Sequence, residues 1–178
     1  MRIISGTLKG RRIHPPKNLP VRPTTDRAKE ALFNILVHQY DFESCSVLDL
    51  FAGTGSISYE FASRGVKTIT AVDQNNRSIA YINETSESLS LPITAVRMSV
   101  TQFLERLNND YTFVFADPPY TFTPDAYQAL IHTVFERSLL QKNGLLIVEH
   151  AEHVDLSAFK YFTNARNYGG CVFSFFEN

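Results

Sequence analysis

From residue 47 onward, short apolar runs alternate along the chain with longer segments in which apolar side chains recur at helical spacing. The apolar runs predict five strands, at residues 47–51, 68–72, 94–98, 112–116 and 145–148. The segments between them predict four helices, at residues 56–64, 75–88, 100–107 and 124–140. This alternation is typical of a three-layer, Rossmann-like α/β fold, in which crossover helices cover a mostly parallel sheet.

The two ends of the chain follow other patterns. Residues 1–22 alternate loosely between apolar and polar positions and then become rich in proline, which favours a short hairpin and an extended arm. Two threonines, either of which can cap a helix, then precede an amphipathic segment. Near the other end, residues 159–167 and 171–176 predict a β-hairpin, so the sheet should end in an antiparallel strand. We therefore expect a basic arm over 1–22 and one globular unit over 23–178.

The formal net charge of −1 hides an uneven distribution. Residues 1–29 contain eight Lys and Arg side chains against Asp26 alone, which gives +7, and the remaining 149 residues carry −8. A basic segment on an acidic body can bind phosphates through counterion release, although a solvated extension without a partner has the same composition. The candidate RNA contacts are Arg2, Lys9, Arg11, Arg12, Arg22 and Arg27.

Several functions are disfavoured by what the sequence lacks. Its apolar runs reach only four or five residues, too short to span a membrane, and the first residues lack the apolar core of a secretory signal. Cys45 and Cys171 are too few for a disulfide framework and too far apart for a metal pair. His150 and His153 would need further ligands to hold a metal, and we expect them in a solvated loop. These features favour a cytoplasmic protein without a metal.

A glycine-rich turn follows the first predicted strand. Gly53 and Gly55 allow a tight turn that can bring a ligand against main-chain N–H groups at the start of the next helix. Ser58 stands where a dinucleotide-binding fingerprint would have its third glycine, which weakens a nicotinamide or flavin interpretation. Asp49 interrupts the apolar strand and needs donors, either from the N–H groups of the turn or, through water, from a ligand ammonium. Asp73 ends the second strand, where a carboxylate can accept from both hydroxyls of a ribose or cap the next helix.

The segment Asp117-Pro118-Pro119-Tyr120 follows the fourth predicted strand, at the edge where open α/β sheets bind ligands. The prolines fix the backbone and remove two N–H donors, which leaves their carbonyls as acceptors. A carboxylate, a carbonyl and an aromatic ring suit a planar amine, because two acceptors can take its protons while the ring stacks on its face. Together with the glycine turn and Asp73, this segment favours a binding site over an incidental proline turn.

These motifs resemble those of S-adenosylmethionine-dependent amino-methyltransferases that act on nucleic-acid bases. The resemblance is carried by residues 49–56, Asp73 and residues 117–120. Two amino-terminal segments, 2–11 and 22–35, are similar to those of one branch, the bacterial 16S ribosomal RNA guanine-N2 methyltransferases that modify guanine 966. The similarity runs over nearly the whole chain.

The resemblance implies a class I methyltransferase sheet with an antiparallel last strand. It also implies S-adenosylmethionine as the cofactor, and a monomer that acts on 16S ribosomal RNA or the small ribosomal subunit. The residues implied to hold the cofactor are Asp49, Phe51, Ala52, Gly53, Thr54, Gly55, Asp73, Gln74 and Ser99. Many proteins of this fold have an acid where this chain has Ser99, so its contact with adenine should be weaker. The residues implied to hold the target base are Asp117, Pro118, Pro119 and Tyr120.

Two other functions share some of these features. A DNA adenine-N6 methyltransferase can use the same acid-proline-proline-aromatic turn, although such an enzyme usually needs a target-recognition region, for which 178 residues leave little room. A non-catalytic RNA-binding or assembly factor could retain the pocket, although the intact glycine turn and Asp117 favour an enzyme. Cofactor binding, and methyl transfer to duplex DNA or to ribosomal particles, would separate the three.

Overall fold

The computed structural model of the chain describes residues 1–16, 19 and 24–178. In this part of the chain one sheet is formed by β1 (Ser46–Leu50), β2 (Thr68–Asp73), β3 (Ile93–Arg97), β4 (Tyr111–Ala116), β5 (Leu140–Ala151), β6 (Phe162–Asn167) and β7 (Cys171–Phe176). Their order across the sheet is β3-β2-β1-β4-β5-β7-β6. Strands β1 to β5 are parallel, and β7 lies antiparallel between β5 and β6. The predicted mostly parallel sheet with an antiparallel end is confirmed.

Helices connect the parallel strands and cover both faces of the sheet. The helices of the described residues are α1 (Asp26–Leu36), α2 (Ser56–Ser63), α3 (Asn76–Ser88), α4 (Val100–Arg106) and α5 (Pro124–Glu136), with a 3-10 turn at Phe42–Ser44. Thr25 caps α1, because its side chain accepts from the N–H of Ala28 at 3.2 Å. Of the two capping threonines that the sequence offered, the second is therefore the one used.

The largest difference from the predicted elements lies between α5 and β5. The helix predicted to reach residue 140 ends at Glu136, and the next strand spans 12 residues instead of four. Ser138 ends the helix in a left-handed conformation with φ at 53°, and the N–H of Leu139 then returns to the carbonyl of Val134 at 3.0 Å. The strand begins earlier because Leu140 pairs with Tyr111 of β4 ahead of a shift in register. It ends later because residues 146–151 pair with β7 in antiparallel register. The local apolar pattern reveals neither pairing.

Two apolar layers hold the sheet. Helices α1 and α2 pack on one face, where the rings of Phe61 and Phe113 stack with 5.3 Å between their centroids. Helices α4 and α5 pack on the other face. The aromatic residues of the last strand divide between the layers, with Phe173 and Phe175 in the first and Phe176 in the second. Their expected place in the sheet core is confirmed.

The amino-terminal residues form a hairpin that is fixed to α2. Backbone hydrogen bonds join its two arms, with Arg2 opposite Arg12. The buried carboxylate of Glu60 accepts from the N–H groups of Ile4 (2.8 Å) and Ser5 (3.0 Å) on the hairpin. Because this carboxylate comes from the middle of α2, the hairpin and the helix hold one another in place.

Lys29, one of the basic residues of segment 1–29, is buried rather than solvated. Its Nζ donates to the carbonyl of Arg2 (2.7 Å) and to the hydroxyl of Ser56 (3.1 Å), and it lies 3.9 Å from Glu60. Burial lowers the pKa of Lys29, and the carboxylate of Glu60 opposes that effect. Lys29 therefore joins α1 to the hairpin and to α2, and it adds nothing to the charge that an RNA could contact.

Replacing Lys29 by Met should lower the free energy of unfolding by about 3 kcal/mol, because loss of one partner of a buried ion pair leaves the other uncompensated. The loss should stay near the lower end of the usual range, since Arg64 remains 2.9 Å from the Glu60 carboxylate. Lys67→Met is the matched control. Lys67 pairs with Glu43 at 3.5 Å, but the two side chains are 73% and 71% exposed, so we expect a loss below about 1 kcal/mol. Urea unfolding measures both variants, and equal losses would contradict the role of Lys29.

Candidate functional site

A cavity of about 880 Å³ opens at the carboxyl edge of β1, β2, β4 and β5. Twelve residues predicted to bind cofactor or base line it, namely Asp49, Phe51, Ala52, Gly53, Thr54, Asp73, Gln74, Ser99, Asp117, Pro118, Pro119 and Tyr120. Gly55, the remaining member of the predicted set, does not line the cavity but shapes the turn. It precedes α2 with φ at 78°, and a Cβ at this position would lie 2.8 Å from the ring of Tyr59.

Four neighbouring parallel strands each bring one carboxylate to this edge. The four acids, in the order of β2, β1, β4 and β5, are Asp73, Asp49, Asp117 and Glu149. Side chains alternate between the faces of a strand, and apolar residues two or four positions before each acid pack under α1 and α2. Ala116 pairs with Val148 in parallel register, so the next residues, Asp117 and Glu149, lie side by side. All four carboxylates therefore share one face of the sheet.

Asp73 is held by the glycine turn and by the start of α3. The N–H of Gly53 donates to its Oδ2 (2.8 Å), and the N–H of Asn75 donates to its Oδ1 (2.7 Å). The cap of α3 is Asn75, which accepts from the N–H groups of Arg77 and Ser78. Because each carboxylate oxygen can accept more than one hydrogen bond, Asp73 can fix the turn and still accept from the hydroxyls of a ligand in the cavity.

Asp49 takes its donors from α2. The N–H of Ser58 (3.2 Å) and the hydroxyl of the same residue donate to its Oδ2. Of the two sources of donors that the sequence leaves open for Asp49, the glycine turn is not used, because the N–H of Gly53 is directed to Asp73 instead. Ser58, at the position of the third glycine of a dinucleotide fingerprint, is thus the partner of the buried acid. Burial raises the pKa of Asp49 from its ordinary 3.8 to about 7, and the bonds from Ser58 oppose this rise.

The segment after β4 forms a turn at the rim of the cavity. The carbonyl of Pro119 accepts from the N–H of Phe122 at 2.8 Å. Among the described residues none donates to the carbonyl of Pro118, so this is the proline acceptor that a ligand could use. Tyr120 projects outward and is 74% exposed. The turn therefore presents a carboxylate, one carbonyl and an aromatic ring.

Asp117 is buried near two other carboxylates of the site. Burial, followed by the charges of Glu149 and Asp49, raises its pKa well above the usual range of a carboxyl group. Nearby, burial and the charge of Asp117 raise the pKa of Tyr127 to about 12. Strongly shifted carboxyl groups in a cavity are typical of functional sites.

Phe51, the first residue after β1, has a strained backbone. Its φ of 60° lies in the left-handed region, which non-glycine residues rarely adopt. The ring is held edge to face against Phe122, with 5.6 Å between the centroids. Such strained residues cluster at functional sites. Here the contact between the two rings joins the glycine turn to the turn after β4.

Glu149 is the acid of this edge that the sequence pattern did not single out as a site residue. The hydroxyl of Thr24 donates to its Oε2 (2.7 Å), and the thiol of Cys171 donates to its Oε1 (3.1 Å). An acid directly after the apolar run 145–148 was the available signal, since Asp117 follows its own apolar strand in the same way. The turn between β6 and β7 also reaches the cavity, and no local sequence signal indicates that contact.

Polar groups on the side of α3 and α4 fit the nucleoside part of an adenosyl cofactor. Ser99 caps α4 by accepting from the N–H of Gln102 (3.4 Å), and its side chain lines the cavity. Ser78 also lines the cavity, and its buried hydroxyl has no hydrogen-bond partner among the described residues. With the carboxylate of Asp73, these groups form a donor and acceptor set suited to ribose hydroxyls and an amino group.

Five of the six residues predicted to bind RNA lie outside the cavity. These five are exposed on the hairpin or in the first turn of α1, namely Arg2, Lys9, Arg11, Arg12 and Arg27. Arg2 lies 3.5 Å from Asp26, so part of its charge is compensated. Arg22 lies outside the described residues.

His150 is buried in β5, so the expectation of a solvated loop is wrong for this residue. The strand continues to Ala151 through its pairing with β7, and Nε2 of His150 lies 2.8 Å from the hydroxyl of Ser174. Burial lowers the pKa of His150. Within the described ranges, no group of three or more His, Cys, Asp or Glu side chains is arranged to hold a metal ion. None of the helices in the same part of the chain is long and apolar enough to cross a membrane.

Relatives of known name match most of the chain. The family model described as conserved hypothetical protein 95 matches residues 1–177. The ribosomal RNA small subunit methyltransferase D of Haemophilus influenzae is 32% identical over 154 residues, which cover 84% of this chain and 78% of that protein. The protein of the same name from Escherichia coli K12 is 30% identical over 156 residues, which cover 87% of this chain and 74% of that protein.

Solved structures share the fold. The hypothetical protein TTHA0928 of Thermus thermophilus has a TM-score of 0.87 and 25% identity, over 100% of this chain and 99% of that chain. The T. thermophilus 16S rRNA N2 G1207 methyltransferase RsmC, solved with AdoMet and guanosine, has a TM-score of 0.69 and 20% identity, over 86% of this chain and 43% of that chain. Both the matched family and the class I methyltransferase fold agree with the resemblance seen in the sequence motifs. The chain therefore belongs to the conserved hypothetical protein 95 family, together with the ribosomal RNA small subunit methyltransferases D.

Proposed function

We propose that this protein transfers a methyl group from S-adenosylmethionine to the exocyclic N2 of guanine 966 in 16S ribosomal RNA. The observation that carries the proposal is one cavity that is lined both by the Asp117-Pro118 turn and by the glycine turn and Asp73. The names of the relatives support ribosomal RNA as the substrate class, and RsmC combines the same fold with AdoMet and guanosine. In this proposal a cytoplasmic monomer acts on 16S RNA or on the small ribosomal subunit, without a metal.

The cofactor would be held along β1, β2 and the start of α4. Asp73 offers acceptors for the ribose hydroxyls, and Ser99 offers a neutral hydroxyl to the adenine amine. The buried charge of Asp49 favours a cationic ligand at the turn. When bound, S-adenosylmethionine supplies an electrophilic methyl group on a sulfonium. The sulfur would keep the electron pair of the broken carbon–sulfur bond and leave as a neutral thioether. The other proposed contacts come from Phe51, Ala52, Gly53, Thr54, Gly55 and Gln74.

The task of the base-binding residues is to make a poor nucleophile react. The lone pair of an exocyclic amine is delocalised into its ring. Hydrogen bonds from this amine to the carboxylate of Asp117 and the carbonyl of Pro118 would turn the lone pair out of the ring and stabilise the positive charge that develops on nitrogen. The nitrogen then loses one proton, and the raised pKa of Asp117 suits it to accept that proton. Tyr120 would stack on the extruded base, whose unstacking costs a few kcal/mol.

The exposed basic residues would anchor the RNA around the cavity. Lys9, Arg11 and Arg12 lie on the hairpin, and Arg27 lies on the helix that follows the arm. Contacts to phosphates position a nucleic acid without reading its sequence. We therefore assign orientation of the RNA to these residues, and selection of the base to the cavity.

Asp117→Ala should lower kcat for methyl transfer at least about 100-fold while leaving cofactor binding largely intact, because the side chain contacts the base and not the cofactor. The substrate is small ribosomal subunits from cells that lack this protein. Mass spectrometry of their 16S nucleosides should show N2-methylguanosine restored by the wild type and not by the variant, and calorimetry measures cofactor binding. Asp110→Ala, an exposed residue before β4, is the control. Full turnover by Asp117→Ala would reject the role, and a wild type that modifies only DNA adenine would reject the proposed substrate.

Asp49→Asn should weaken cofactor binding and stabilise the cofactor-free protein at pH 8. The pKa of Asp49 is raised by folding, so the folded state binds more protons than the unfolded state between about pH 4 and pH 7, and the free energy of unfolding falls as pH rises through that window. The substitution removes this fall, which amounts to at most about 4 kcal/mol. Urea unfolding at pH 5 and pH 8 measures it, with Asp110→Asn as the control. Unchanged cofactor affinity would argue against the assignment of Asp49.

Neutralising Lys9, Arg11 and Arg12 together should weaken RNA binding and reduce the slope of log K against log salt by about 2 to 3, since each phosphate contact contributes about 0.7 to 0.9. Cofactor affinity should not change. The control neutralises three exposed basic residues outside the hairpin and α1, namely Lys67, Arg106 and Lys142. Binding to 16S RNA over a series of salt concentrations measures both slopes, and equal slopes would remove the hairpin from the RNA interface.

A further inference from the structure

Glu149 lies beside the proposed amine acceptor and has no part in the mechanism above. The parallel pairing of Ala116 with Val148 places the next two residues, Asp117 and Glu149, next to one another on the same face of the sheet. Both line the cavity. After burial, the charge of Glu149 is the largest cause of the raised pKa of Asp117. A base held by Asp117 would therefore present its neighbouring edge atom to Glu149.

The carboxylate of Glu149 is oriented before any ligand arrives. Thr24, a buried residue before α1, donates to one oxygen at 2.7 Å, and Cys171, the first residue of β7, donates to the other at 3.1 Å. The two donors come from opposite ends of the chain and hold the group from two sides. A carboxylate oxygen accepts further hydrogen bonds beyond these and, when ionised, donates none. Glu149 thus presents a fixed group that selects for a donor.

The edge of guanine carries such a donor next to its amine. Its N1–H lies beside the N2 amine, so two neighbouring acceptors can bind both groups together. Adenine has a bare N1 next to its N6 amine, and the lone pair of this nitrogen would face the carboxylate. Enzymes that extrude a base read it through hydrogen bonds to this edge. A second carboxylate beside Asp117 would therefore favour binding of guanine over adenine.

We infer that Glu149 is a specificity-determining residue that accepts the N1–H of the target guanine while Asp117 accepts from its N2 amine. The inference rests on the function proposed above and assigns the choice of guanine over adenine to a residue outside the glycine and proline motifs. The bond to N1–H forms on binding and is kept through methyl transfer, so Glu149 neither gains nor loses a proton. Its removal should change which base is accepted.

The test compares two target bases that share the 2-amino group. Small ribosomal subunits are reconstituted with 16S RNA that carries either guanine or 2-aminopurine at the target position. 2-Aminopurine lacks the N1–H and has an acceptor there instead. The wild type should prefer guanine by at least about 100-fold in kcat/KM, because a site built to bind an N–H leaves its acceptor unpaired with the analogue.

Glu149→Gln replaces one acceptor oxygen by an amide that can donate to the bare N1 of 2-aminopurine. This variant should narrow the preference for guanine at least about tenfold, with cofactor affinity unchanged. Glu152→Gln makes the same chemical change at an exposed residue just after β5, and it should keep the wild-type preference. Thr24→Val removes a donor that orients Glu149 and should narrow the preference to a smaller extent. It provides a second measurement if Glu149→Gln does not fold.

The outcomes separate this inference from the function on which it rests. A wild type that methylates both bases equally overturns the assignment of Glu149, as does a variant that loses activity on both bases in equal proportion. In either case methylation of guanine N2 by the wild type leaves the proposed function in place. A wild type that does not methylate guanine in the reconstituted subunits overturns both.

Discussion

The parallel register of β2, β1, β4 and β5 brings four carboxylates to one edge of the sheet. Raised pKa values and hydrogen bonds from neighbouring donors compensate the repulsion between them. Burial, followed by the neighbouring carboxylates, raises the pKa values of Asp49 and Asp117. Asp73 accepts hydrogen bonds from Gly53 and Asn75, and Asp49 accepts from Ser58. Glu149 accepts from Thr24 and Cys171, so the donors come from all parts of the chain. The carboxylates thereby draw the glycine turn, α2, the residues before α1 and β7 to a common rim. The walls of the cavity are set by the same bonds.

Helix α2 connects the carboxylates of the site to the amino-terminal hairpin on the surface. All eight of its residues are buried, and its two sides have different partners. Ser58 donates to Asp49 at the site, whereas Glu60 accepts from the backbone of the hairpin and lies near Lys29. Close-packed interiors transmit displacements rather than absorb them. The hairpin therefore has a fixed position relative to the glycine turn, and its exposed basic residues hold a set distance from the cavity, as the proposed anchoring of RNA requires.

The sequence was sufficient for features that depend on local pattern and insufficient for those that depend on pairing between distant strands. Alternating apolar runs predicted the sheet, and the glycine and proline turns predicted where its cavity lies. Pairing with β7 extended β5 and buried His150, and no residue within the strand signals that partner. Glu149 has a local signal, because it follows an apolar strand as Asp117 does, but its position beside Asp117 exists only in the register of two strands. The glycine turn was one of two possible sources of donors for Asp49, but its Gly53 N–H donates to Asp73, and Ser58 of α2 donates to Asp49 instead.

The charges of the chain are sorted in space as well as in sequence, and this sorting bears on how a nucleotide could enter the site. Exposed cations lie on the hairpin and α1, whereas the carboxylates line the cavity. A nucleotide joins an anionic phosphate to a neutral base that carries N–H donors. The carboxylates would repel the phosphate and accept from the base, so the base alone is favoured inside while the backbone stays near the cations. Exposed charges are screened beyond about 8 Å at physiological salt. The sorting therefore acts on the target nucleotide and its immediate neighbours, and recognition of the wider RNA falls to the shape of the surface around the cavity.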